Sequence, residues 1–180
     1  MNKGYIENLA METLHGHRIG PATSSFRAND AGIELSKSGV GALAIIEKVI
    51  KEKVIPRLDI QDKVEVSHKI QEDWGACMGN ASHNFIGLNY LIGAYLVIGV
   101  RENTQEIFAF LEEQPKAIQI EALECSLTFF FKTSNGYNFG IAPSRMLLKF
   151  LMKLSKSTDC QIASLADDVH KKLSSDLCKG

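Results

Sequence analysis

A chain of 180 residues with 45% hydrophobic and 23% charged side chains has the balance of a globular protein, which excludes a disordered or fibrous class. At that length one domain, residues 1–180, can bury a sizeable core without staples. The net charge of −1 is too even for a protein that holds nucleic acid by charge excess. Only 4 prolines and 14 glycines punctuate the chain, and long apolar stretches lie between them, a pattern that favours helices.

The first helix is expected from Asn2 to His15, with Ile6, Leu9, Ala10 and Leu14 on one stripe. Its polar residues Glu7, Asn8 and Glu12 break up any secretory core, so a cytoplasmic location is expected. From Gly16 to Leu35 glycine, proline, serine and asparagine are mixed with isolated apolar residues, and the segment reads as a long connection. A second helix is expected after Ser36 or Ser38, with Val40, Leu43, Ile46 or Ala44, and Ile50 facing the core, ending before Pro56. Residues 57–83 read as a polar stretch around Trp74, the sole tryptophan.

The most apolar run, Phe85 to Val100, is too short for the roughly 20 residues a bilayer crossing needs, so it reads as a buried helix rather than a membrane span. Gly87 and Gly93 are expected at close helix approaches and Gly99 at the helix end. Asn103 to Glu106 has the spacing of a capping box for a short helix that Pro115 ends. A helix from Lys116, a turn or small β-hairpin within 133–141, a helix after Pro143 and a last helix from Asp159 complete the chain. The expected fold is all-α: a compact bundle or short solenoid-like stack of antiparallel helical hairpins.

Four dispersed cysteines, Cys77, Cys125, Cys160 and Cys178, form no metal-ligand or disulfide pattern and are expected as reduced thiols, with Cys125 and Cys160 in the core. His15 and His17 are two apart at a helix end and have no neighbouring ligand, so no metal is expected. No phosphate-binding loop, HExxH, GxSxG or dinucleotide fingerprint is present, so neither a cofactor nor a catalytic residue is assigned. Arg145, Lys149, Lys153 and Lys156 form a basic stripe on one helix, which reads as a solvated face ahead of a nucleic-acid surface.

Charge is segregated along the chain, with 11 acidic and 4 basic residues between positions 59 and 131. Asp59, Asp62, Glu65, Glu72 and Asp73 crowd around Trp74, and Glu102, Glu106, Glu112 and Glu113 follow the apolar helix. An aromatic anchor among steering charges is the pattern of a protein interface, and these ten residues are the candidate partner-binding site. In size, helical character, acidic surface and lack of catalytic motifs the chain resembles bacterial toxin-immunity proteins. That resemblance implies an antitoxin that binds and blocks a basic toxin domain. The alternatives are a helical scaffold or regulatory interaction module, and a helical enzyme built from scattered residues.

Overall fold

A computed structural model describes residues 2–15, 21–58, 87–134, 136–137 and 139–177. The chain divides into two compact units, 1–94 and 95–180, whose boundary falls inside one helix. Among the described residues the architecture is helical, with one two-stranded antiparallel hairpin.

In the first unit, α1 (Lys3–His15) buries Ile6, Leu9, Ala10 and Leu14, the stripe expected from the sequence. Buried Thr13 returns its hydroxyl to the Leu9 carbonyl at 2.8 Å, so no polar atom is stranded there. Packed on it is α2 (Pro21–Ser36), a full helix where the sequence suggested a connection. Pro21 occupies the first helical position, where its missing donor costs nothing. Ala31 and Leu35 are buried, and Gly32 fits where a Cβ would lie 2.8 Å from Tyr90 Cβ, so the glycine is needed for this close approach.

The second predicted helix is present but built differently. A 3-10 turn over Val40–Ala42 leads into α3 (Leu43–Val49), a π-helical turn over Ile50–Val54, and α4 (Ile55–Leu58). Val40 is 54% exposed and does not face the core as expected, because the 3-10 turn rotates it off the stripe carried by Leu43, Ile46 and Ile50. Pro56 does not stop the helix. Its ring would press on the carbonyl four residues back and it has no amide to donate. The wider π turn, in which the Ile55 amide reaches the Ile50 carbonyl, opens the ladder where that ring enters. Lys48 on α3 pairs with Glu7 on α1 at 3.4 Å.

The boundary helix, α5 (Leu88–Arg101), has every residue from Leu91 to Val100 buried, as its uniform apolarity implied. Its ending corrects the sequence reading. Gly99 is no stop: it lies within the helix against Ile107, where a Cβ would come 2.2 Å from Ile107 Cδ1. Asn103 caps the end of α5 and not the start of the next helix. Its φ of 54° is left-handed, the Thr104 amide reaches the Gly99 carbonyl at 2.9 Å, and the Asn103 amide reaches Val100 at 3.3 Å. Those two bonds make a Schellman ending with asparagine in the position glycine usually takes.

The second unit continues with α6 (Glu106–Glu112) and α7 (Lys116–Phe130), joined through Pro115. Gln119 Nε2 donates to the carbonyls of Glu112 (2.9 Å) and Gln114 (3.0 Å), satisfying the C-terminal end of α6. The expected hairpin is β1 (Lys132–Thr133) with β2 (Gly136–Tyr137), paired Lys132 to Tyr137 and Thr133 to Gly136. Gly136 has φ 107°, which a side chain would strain. Phe139 then stacks on Phe129 at 4.5 Å.

Last come α8 (Arg145–Leu154) and α9 (Cys160–Leu177), packed on each other, with α9 also against α7. Ser144 caps α8 by accepting from the Leu147 amide at 3.1 Å. Asp159 caps α9 by accepting from Gln161 and Ile162. Lys116, 2.7 Å away, and those amides hold the Asp159 carboxyl below the usual carboxylate range. Cys125 is buried as expected, but Cys160 is exposed because it opens α9 on its solvent side.

Candidate functional site

Only part of the sequence-predicted acidic site falls in the described residues. Asp59, Asp62, Glu65, Glu72, Asp73 and Trp74 lie outside them, as do Cys77, His68 and His83. Of the remaining four, Glu102 is offset by its neighbour Arg101, whose Nε lies 3.1 Å from its carboxylate. Glu106 on α6 and Glu113 just past its end are exposed and make no ion pair among the described residues. Glu112 is ion-paired with Lys153 of α8. The fold thus joins the end of the acidic candidate set to the basic stripe.

Where they meet lies a groove of about 330 Å³ between α6 and α8. Gln105, Phe108, Ala109 and Glu112 line it from α6, and Met146, Lys149, Phe150 and Lys153 from α8. Each set has the spacing i, i+3, i+4, i+7, so each helix presents one continuous face to the groove. Phe108 and Phe150, both buried with centroids 5.2 Å apart, make its floor. Glu112 and Lys153 span it near the C-terminal ends of both helices. Phe108 opposite Phe150 and Glu112 opposite Lys153 set the two helices side by side in the same direction.

The rims carry opposite charge. At 100° per residue, Glu106 and Glu113 lie on the outer flank of α6, past the groove face. On α8 the outer flank holds Arg145 and Lys149 around Met152, itself 46% exposed, and Lys156 follows in the turn after the helix. Arg145, Lys149 and Lys156 make no ion pair among the described residues. Such a site has an apolar floor for a side chain and charges placed to orient it. Sequence reasoning found the stripe and the acids but not the groove, since the paired positions are some 41 residues apart, as Glu112 and Lys153 are.

Chemistry of a catalytic kind is sparse around it. A carboxylate held above its usual range lies elsewhere, at Glu121 on α7, where burial raises the pKa, the nearby Glu124 charge raises it further, and the Cys125 thiol at 3.7 Å works against both. Among the described residues no three His, Cys, Asp or Glu side chains gather to hold a metal ion. No helix among them is long and apolar enough to cross a membrane. Comparisons with protein families, characterised proteins and solved structures find no match to this chain.

Proposed function

We propose that this chain is a non-catalytic helical module that binds another protein, with the groove between α6 and α8 as a docking site. What supports the reading is the pairing of a two-ring apolar floor with charged rims of opposite sign, a combination that gives both anchoring and orientation. A photo-crosslinking amino acid at Ala109, in the groove, is expected to trap a discrete protein partner in cells. The same group at exposed Ser164 on α9 is not. Identical adduct patterns from both positions would sink the reading.

A narrower reading makes the chain a cytoplasmic toxin-immunity protein that occludes a basic toxin domain. It is favoured by the 11 acids against 4 bases in residues 59–131 and by Trp74 among five of those acids. A rim charge acts mostly on association and a buried aromatic anchor on dissociation. Glu72→Lys with Asp73→Lys should therefore slow association with the toxin, more so at low salt, and Trp74→Ala should shorten the complex by about 2 kcal/mol. Equal binding by both variants would exclude the acidic segment as the interface.

A further inference from the structure

The groove identifies the shape and charge of what it takes. We infer that it receives an amphipathic helix with a charge stripe on each edge, acidic along the edge that meets α8 and basic along the edge that meets α6; this rests on the docking role proposed for the groove.

Shape comes first. Two helices running side by side, each offering an i, i+3, i+4, i+7 face, leave a channel that a third helix fills with its own side chains in the same spacing. The floor of Phe108 and Phe150 gives that helix an apolar seat, and the space of about 330 Å³ takes one or two large aliphatic or aromatic side chains.

Charge then selects among such helices. The α8 rim carries Arg145 and Lys149, followed by Lys156 in the turn after the helix, all without partners among the described residues, so carboxylates on the incoming helix are complementary there. The α6 rim carries Glu106 and Glu113 in the same condition, which favours lysine or arginine on the other edge. Glu112 and Lys153 already neutralise each other across the end of the groove and add no net bias. A helix acidic on both edges, or basic on both, would meet like charge on one rim. A second copy of this chain satisfies the charges, because acidic and basic rims exchange across a two-fold axis. It fails on shape, since a groove facing a groove leaves both floors empty.

Fluorescence polarisation with three labelled helical peptides of about 18 residues, roughly five turns, tests this. All share one leucine seam. The first has a glutamate edge and a lysine edge, the second has glutamine on both edges, and the third has glutamate on both. Expected is about tenfold tighter binding of the striped peptide than of either other, fading as ionic strength rises from about 0.05 to about 0.5 M. Lys149→Glu should weaken the striped peptide about tenfold and the glutamine-edged peptide far less, which separates loss of charge from loss of fold. Equal affinity for all three peptides overturns the charge-stripe inference while leaving the groove as a docking site. No binding of any peptide, together with no discrete adduct at Ala109, overturns both. A dimer in size-exclusion chromatography with light scattering that Lys149→Glu dissociates would give the groove to a second copy and overturn the inference.

Discussion

Helices α5 and α8 are both leucine-rich, yet they spend their apolar residues differently. In α5 the residues from Leu91 to Val100 are buried on every side, whereas α8 buries Leu147, Phe150, Leu151 and Leu154 and leaves Arg145, Lys149, Met152 and Lys153 exposed. An all-round apolar helix has no face with which to meet a partner, so its role is stability. A one-sided helix keeps a second face available, and here that face borders the groove. Substitutions in α5 should therefore report on folding, and substitutions on the outer flank of α8 on recognition.

The largest expected effect is Leu96→Ala, which empties a fully buried site in α5 and should cost about 2–5 kcal/mol. Lys149→Ala, on the exposed flank of α8, should stay within about 0.5 kcal/mol. Urea unfolding midpoints compare the two, and a similar loss in both would erase the division of roles.

Gly99→Ala comes next. The new methyl would lie 2.2 Å from Ile107 Cδ1 and 2.9 Å from Cγ1 and Cγ2, so the side chain must move. Overpacking of this kind costs about 1–3 kcal/mol, and the better helix propensity of alanine returns up to about 1. A net loss of about 1–2 kcal/mol is expected. Ile107→Val removes the closest atom, so the double variant should lose less than the two single losses together. Strict additivity in thermal melts would show that the contact does not limit packing.

Much of this was legible in the chain. The stripes of α1, α8 and α9 follow from helical periodicity, because one solvent face makes the pattern visible. The helix α2 did not: PATSSFRANDAGIELS has few apolar residues and several that favour turns, and Ala31 and Leu35 bury too little to stand out. Pro56 read as a stop because the rule assumes an α ladder, and a π turn precedes it. Asn103 fits a capping box in sequence, but its left-handed backbone is decided by Gly99 and Val100 behind it. The groove needs two helices to be seen at all. Its signal was half present in the stripe from Arg145 to Lys156, and the acids of α6 supplied the rest only once packed beside it.

Caps are a smaller effect and belong to the α8 side of the comparison. Ser144→Ala removes the acceptor for the Leu147 amide and should cost about 1 kcal/mol, without altering the face that borders the groove. Peptide affinity is expected to stay constant in native buffer while the melting temperature falls. A parallel loss of affinity would mean that the groove depends on the first turn of α8.

The smallest effect concerns α7, whose face is neither wholly buried nor free, and it appears only as a dependence on pH. Burial, and then the charge of Glu124, raise the pKa of Glu121, so the folded chain resists an ionisation that the unfolded chain accepts. Below the ordinary glutamate value of about 4.3 both states are protonated and nothing is lost. As pH rises through that value the unfolded state releases its proton first, and stability declines until the raised folded value is passed. Glu121→Gln removes the ionisation while keeping size and a polar group. The variant should therefore melt above wild type at pH 7, and the difference should shrink toward zero as the pH falls below about 4. Ser126, buried one turn away with its hydroxyl on the Ala122 carbonyl at 2.7 Å, does not titrate, so Ser126→Ala serves as a control whose effect should not vary with pH. A Glu121→Gln difference that is the same at pH 4 and pH 7 would mean that the carboxyl is as well solvated in the folded chain as in the unfolded one, and that α7 at this position belongs with the exposed flank of α8.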